Sequence, residues 1–212
     1  FKKEVAQAVV DELEPFKKRY EEIIASMSTM FLSILEHYQK VEKKLPGKVL
    51  FYRDGVGQSF IERTLQAEVG SLIKAMETKY TLKRPKITVV LVTKRISDKF
   101  ASSDPRPMNP AAGTVVESGV TELDRATFFM IAQKVTQGTA NPTKYQVVYD
   151  ENETRFEDLI KLTHSLCWSY FNWMGPVKVP SPVQYAHKSC YLIGELQDAK
   201  VSQNIKSSKY YL

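Results

Sequence analysis

The 212-residue sequence predicts an α/β fold, a central mixed sheet with flanking helices. Three observations carry the prediction. Apolar residues recur at spacings of three and four in separate stretches. Short apolar runs fit for buried strands lie between those stretches. The order strand, helix, strand over residues 48–92 is that of a βαβ unit with parallel strands.

Residues 1–15 are ambiguous, since Glu4-Val5-Ala6-Gln7-Ala8-Val9-Val10 fits a strand or a helix. Over residues 17–44, Ile23, Ile24, Met27, Phe31, Ile34, Leu35, Tyr38 and Val41 keep helical period until Pro46-Gly47 ends it. Lys48-Val49-Leu50-Phe51-Tyr52 reads as a buried strand broken by Gly55 and Gly57. Ile61, Leu65, Val69, Leu72, Ile73 and Met76 mark a second helix, and Ile87–Val92 a second buried strand. Residues 101–113 hold three prolines, Asn109 and Gly113 and form a surface loop. Thr114-Val115-Val116 is a short strand. Phe128–Gln133 and Tyr145–Tyr149 are strands separated by the polar turn Gln137-Gly138-Thr139-Ala140-Asn141-Pro142. A third helix carries Phe156, Leu159, Ile160, Leu166, Cys167 and Tyr170. Pro176, Pro180 and Pro182 lead into a last helix over about residues 183–196, and the tail from Lys200 is polar until Tyr210-Tyr211-Leu212.

Composition narrows the classes. With 43% hydrophobic and 11% aromatic residues the chain can bury a sizeable core, which excludes wholesale disorder. Two cysteines, Cys167 and Cys190, exclude a disulfide scaffold and favour an intracellular, reducing compartment, cytoplasmic or nuclear, with no disulfide-linked partner. No apolar run reaches the length of a membrane span. The chain opens Phe1-Lys2-Lys3-Glu4 without an initiator Met or signal peptide and reads as a piece of something longer. A net charge of +6, from 30 Lys+Arg against 24 Asp+Glu, hints at a polyanionic partner.

Among the chemistry-bearing residues, Asp54 follows a buried strand and precedes a Gly-rich turn, in Tyr52-Arg53-Asp54-Gly55-Val56-Gly57. A carboxylate at the carboxyl end of a parallel strand sits where α/β sheets place ligands, and Asp-Gly is equally a favoured turn pair. His37 reads as a solvated helix residue, His164 as packed or half-exposed, and His187 as a lone helical histidine without a second ligand at metal spacing. There is no Gly-x-Ser-x-Gly, Cys-x-x-Cys, Walker loop or Gly-x-Gly-x-x-Gly, so acyl transfer, zinc and nucleotide-cofactor chemistry lose ground. Scattered carboxylates with one histidine suit hard divalent cations such as Mg²⁺.

Four segments together resemble the PIWI domain of Argonaute proteins, and within them the PIWI clade. They are Phe51-Tyr52-Arg53-Asp54-Gly55-Val56, Gly113-Thr114-Val115-Val116, Gln137–Tyr145 and Val179-Pro180-Ser181-Pro182-Val183-Gln184-Tyr185-Ala186-His187. The resemblance runs from about residue 20 to the C-terminus. Tyr170-Phe171-Asn172-Trp173 and Gln184–Lys188 carry the clade assignment. It implies an RNase H-like fold with a slicer site of Asp, Glu, Asp and His around two Mg²⁺ (or Mn²⁺) ions. Asp54 matches the second aspartate and would bind metal directly. His187 matches the final histidine and would be a neutral metal ligand. Glu22, in Glu21-Glu22-Ile23-Ile24, resembles the family glutamate, with Glu21 the near alternative and a plain helix N-terminal acid the bland one. The first aspartate would lie upstream of this chain, together with the MID, PAZ and N domains, so residues 1–212 would be the C-terminal portion of a PIWI domain, inactive alone.

The resemblance implies a parent protein that carries a guide small RNA and cleaves a paired target RNA, leaving a 5′-phosphate and a 3′-hydroxyl. Guide pairing supplies sequence choice, so the protein need only hold backbones, and Lys94, Arg95, Gln137, Lys178 and Gln184 are candidate RNA contacts. Leu212 would bring the terminal carboxylate beside the guide 5′-phosphate pocket. Two rivals stand beside the nuclease: a guide-binding silencing protein that does not cut, and a scaffold that docks silencing partner proteins. Trp168 and Trp173 read as core or helix-packing aromatics, and an exposed apolar patch near the third helix would favour the scaffold.

Overall fold

The computed structural model describes residues 26–57, 61–80, 84–103, 106–122 and 124–196, with Ser202, Asn204, Ser208, Tyr210 and Tyr211 of the tail. The ambiguous stretch 1–15, Glu21, Glu22 and Leu212 lie outside the described residues. The chain divides into two compact units.

One unit comprises Leu50–Gly55 and Ile87–His187 and holds the sheet. Its strands are β1 (Lys48–Asp54), β2 (Lys86–Thr93), β3 (Thr114–Val116), β4 (Thr127–Ile131) and β5 (Thr143–Asp150), the outer residues of β1 and β2 reaching beyond the unit. They form one five-stranded sheet in the order β1-β2-β5-β4-β3. The Lys86 N–H donates to the Gly47 carbonyl and the Gly55 N–H to the Val92 carbonyl, so β1 and β2 join start to start and end to end and run parallel. The β2–β5, β5–β4 and β4–β3 pairs are antiparallel, which makes the sheet mixed as expected. β2 is buried along nearly its whole length, as its unbroken Ile-Thr-Val-Val-Leu-Val run requires.

The core of this unit gathers Val90, Val92, Phe128, Met130, Tyr145, Leu159, Cys167, Val179 and Val183. Phe128 and Tyr145 are register partners across β4 and β5, and their rings stack at 4.8 Å. Helix α4 (Phe156–Cys167) covers the core with Leu159 and Ile160. The last helix, α5 (Ser181–Leu196), enters through Val179 and Val183. Tyr52 on β1 is tied to α4 by a 2.8 Å hydrogen bond between its hydroxyl and that of Thr163.

Several features differ from the sequence reading: β1, an edge strand of this sheet, is half-buried rather than buried and runs on to Asp54, β5 begins at Thr143 rather than Tyr145, and the predicted second helix is interrupted by a π-helical turn over Leu65–Val69. β4 stops at Ile131 rather than Gln133, because its only β3 partner there begins at Thr114, where Gly113 N–H closes the ladder on the Ile131 carbonyl at 2.7 Å. The third helix stops at Cys167, before Tyr170. Trp168 and Ser169 donate to Ser165 and Leu166, three residues back, tightening the last turn, and the Cys167 carbonyl is taken by the N–H of Val177. Trp168 and Trp173, read as core or helix-packing aromatics, are not in the core: they are 56% and 66% exposed, because the helix ends before them, and Trp168 keeps a contact with the helix through His164. Phe171 and Met174 are exposed beside them.

The described parts of residues 1–49, 56–86 and 188–212 form the other unit. It contains α1 (Met27–Glu42), which buries Met27, Phe31 and Leu35 at four-residue steps. It also contains α2 (Ile61–Thr64), a π-helical turn (Leu65–Val69) and α3 (Gly70–Tyr80), which buries Leu72 and Met76. α1 and α3 pack together, with a Lys79–Glu36 ion pair at the surface.

Two outcomes test this core. Burial pushes the Cys167 thiol up to about 12, so at pH 8 it carries almost no thiolate and is also sterically closed. Iodoacetamide followed by mass spectrometry should leave Cys167 unmodified in the folded protein and alkylate it after guanidinium unfolding. Phe128→Ala should lower unfolding free energy by about 3–5 kcal/mol in denaturant titration, since it empties a fully buried site.

Candidate functional site

Parallel pairing puts the carboxyl ends of β1 and β2 side by side. Asp54 is the last residue of β1, and Lys94 follows directly on β2. Gly55 adopts φ +79°, a left-handed conformation that turns the chain away immediately after Asp54 and that an L-residue takes only with strain. His187 arrives from α5. Val183 packs in the core with Val90 and Val92, and His187 lies four residues on, one turn along the same face, so it projects over the strand ends.

The three side chains meet. Lys94 Nζ lies 2.8 Å from Asp54 Oδ2, 3.1 Å from His187 Nε2 and 3.4 Å from His187 Nδ1. His187 Nε2 is also hydrogen-bonded to Asp54 Oδ2. One ring nitrogen cannot serve both contacts in one state. Protonated, Nε2 donates to Asp54; unprotonated, it offers a lone pair to the ammonium or to another cation. Burial pushes the Asp54 carboxyl up, but hydrogen bonds from His187 and Lys94, together with their charges, outweigh it and hold the group below its ordinary value. Asp54 is therefore ionised at neutral pH although its side chain is only 16% exposed.

Lys178 adjoins this cluster, its ammonium donating to the Lys94 carbonyl at 3.2 Å. Burial, then the charges of Lys99 and Lys94, lowers the Lys178 pKa. Gln137 is exposed on the β4–β5 turn and shares a cleft of about 230 Å³ with Gln133, Thr139, Asn141 and Lys178. Arg95 is exposed beside Lys94, and Gln184 is half-buried on α5. The structure thus brings together Asp54, His187, Lys94 and Lys178, sets Gln137 on the adjoining cleft, and leaves Arg95 and Gln184 outside the cluster. His37 is exposed, and half-buried His164 accepts a 3.3 Å hydrogen bond from the Trp168 indole.

Among the described residues no three His, Cys, Asp or Glu side chains converge as a metal-binding group. The Asp54–His187 pair nonetheless fits a share of one. A carboxylate oxygen and an imidazole nitrogen already converge on a single cation, the Lys94 ammonium, and this donor set suits a hard divalent ion completed by donors from elsewhere. Sequence reasoning read Lys94 only as an RNA contact and missed its place on Asp54. The parallel order of β1 and β2 was the signal that could have found it. Tyr185 was missed as well: its hydroxyl accepts the Phe171 N–H at 3.0 Å and donates to the Ser169 carbonyl at 3.3 Å, pinning the exposed aromatic connector to α5.

Comparison with known proteins identifies the fold and the family. A family model described as the Piwi domain matches residues 8–197. Piwi-like protein 1 of Danio rerio is 36% identical over 197 residues, covering 92% of this chain and 23% of its own length. The chain therefore spans about a quarter of the length of such relatives. The crystal structure of Drosophila Piwi superposes with a TM-score of 0.79 at 33% identity, over 87% of this chain and 26% of that one. A Kluyveromyces polysporus Argonaute solved with a guide RNA superposes with a TM-score of 0.74 at 28% identity, over 91% and 27%.

Tyr185→Phe removes both hydrogen bonds that its hydroxyl makes to the connector. Amide exchange at Phe171 should accelerate, read by hydrogen–deuterium exchange, while global stability falls by only about 1 kcal/mol. Unchanged exchange at Phe171 would show that Tyr185 does not anchor the connector.

Proposed function

The chain belongs to the Piwi domain family of Argonaute proteins, and from that premise we propose that its parent protein is a small-RNA-guided endoribonuclease acting in gene or transposon silencing. The observation that carries the reading is the convergence of Asp54 and His187 on one cation at the carboxyl ends of two parallel strands. Asp54, kept ionised, and His187, with Nε2 unprotonated, are the metal-holding pair. Glu22 is the third member of the site, and the first aspartate comes from outside this chain, whose 212 residues we read as the C-terminal portion of a PIWI domain.

Two divalent ions, Mg²⁺ or Mn²⁺, when bound supply activation of the attacking water and stabilisation of the leaving oxygen in phosphodiester hydrolysis. The chain's own task is to hold the RNA backbone across that site. Lys178, Arg95, Gln137 and Gln184 offer cationic or amide donors to phosphate and ribose of the guide and target strands, and Lys94 does so when off the carboxylate. The products are a 5′-phosphate and a 3′-hydroxyl. The Argonaute solved with a guide RNA supports guide binding as the shared property on which the activity is built. Work inside the cell, in cytoplasm or nucleus, is part of the same reading; no described helix is long and apolar enough to cross a membrane.

A second reading takes its support from the exposed aromatic connector. Phe171, Trp173 and Met174 line an open hollow with Asn172, and Trp168 is exposed just before them, a surface that silencing partner proteins could occupy while the guide stays bound. In that case the protein silences by recruitment without cutting.

Target cleavage by the guide-loaded full-length protein in Mg²⁺ separates the two. Asp54→Ala and His187→Ala should each reduce cleavage by more than about a hundredfold while guide binding persists. A wild-type protein that binds guide and target and never cuts would replace the nuclease reading with the recruiting one.

A further inference from the structure

We propose that Lys94 is the resident counter-ion of the Asp54–His187 pair, so that a divalent cation enters only as the Lys94 ammonium leaves. The inference rests on the metal-holding reading of that pair. Lys94 Nζ contacts the two atoms a metal would need, Asp54 Oδ2 at 2.8 Å and His187 Nε2 at 3.1 Å. A divalent ion bonded to the same oxygen and nitrogen would stand within a few ångströms of the ammonium, with little water between them to screen the repulsion. The two cations are alternatives at one position.

The surroundings favour such an exchange over a fixed ion pair. The backbone of Lys94 is held: its carbonyl accepts from Lys178, and the end of β2 is pinned to β1 through Gly55 and Val92. Its side chain is 33% exposed, against 16% for Asp54, so the flexible stem can carry the charge outward while the carboxylate stays. With the ammonium in place the half-buried carboxylate is neutralised and the protein tolerates an empty metal site. With a divalent ion in place the ammonium is surplus there. Lys94 is on this account a positioning residue that sets metal affinity, not a catalytic one.

Mn²⁺ titration of the guide-free full-length protein, followed by electron paramagnetic resonance of the free ion, tests this. Lys94→Met keeps the length of the stem and removes the charge, and should tighten Mn²⁺ binding by about tenfold or more. Lys94→Arg should retain wild-type affinity or weaken it. Arg95→Gln, which removes a charge from the neighbouring exposed residue, should change it by less than about twofold. Equal tightening in Lys94→Met and Arg95→Gln would reduce the effect to a general field and overturn the proposal, as would no tightening in Lys94→Met. Asp54→Asn separates the underlying reading: if it leaves Mn²⁺ binding intact, the pair is not a metal site. If it abolishes binding while Lys94→Met matches wild type, only the role of Lys94 falls. Thermal melts of each variant, with Lys94→Gln as a second neutral substitution, guard against misfolding.

Discussion

A carboxylate removed from most of its water must be given positive partners or lose its charge. Asp54 is in that position, and the arrangement around it answers the demand. Burial alone would raise its pKa; two cationic or hydrogen-bonding groups, from two other segments of the chain, reverse the direction. One is Lys94, which parallel strand pairing delivers to the neighbouring strand end. The other is His187, which a helix must bring from more than a hundred residues away. Lys94 would not arrive if β1 and β2 ran antiparallel, because the end of β2 would then lie at the far side of the sheet.

The position of His187 depends in turn on the core. Val183 is buried among Val90, Val92, Phe128 and Tyr145, and the histidine follows it by one helical turn. The stacked Phe128–Tyr145 pair joins β4 to β5 at the same layer. The opposite end of β2 is fastened by polar contacts: Asn152 Nδ2 donates to Thr88 Oγ1 at 2.9 Å, and Thr88 Oγ1 donates to Asp150 Oδ1. Thr88 is buried, and these bonds satisfy its hydroxyl. Apolar packing therefore positions the α5 end of the site, while a small polar network fastens the start of β2 ahead of the register shift between Val89 and Val90.

Much of this was legible in the chain. Unbroken apolar runs marked β1 and β2, helical periods marked α1, α3, α4 and α5, and the Asp-Gly pair at 54–55 marked a turn whose glycine does take a positive φ. Family resemblance, more than any local pattern, joined His187 to Asp54, since a lone helical histidine carries no address. The failures have a common physical cause. The end of a helix depends on where the next segment takes its last carbonyls, and Val177 capturing Cys167 is a contact that no window around Trp168 reveals. Two tryptophans were read as core or helix-packing for that reason. Likewise, a lysine after a strand reads as a solvated charge until the neighbouring strand is known to end in an aspartate.

That lysine changes what the site means. Read from sequence, Lys94 and Asp54 had separate duties, one toward phosphate and one toward metal. Their contact couples those duties: an Asp54 Oδ2 bonded to the ammonium is withheld from a divalent ion, and an ammonium drawn to the carboxylate is less free to turn toward a phosphate. The same exclusion governs the imidazole, whose Nε2 either donates to the carboxylate or offers its lone pair to a cation. On the proposed exchange, ammonium out and metal in, one event would set both groups in their working states: it would free the carboxylate and require the unprotonated imidazole nitrogen, and the ammonium it releases would then be available to a polyanion.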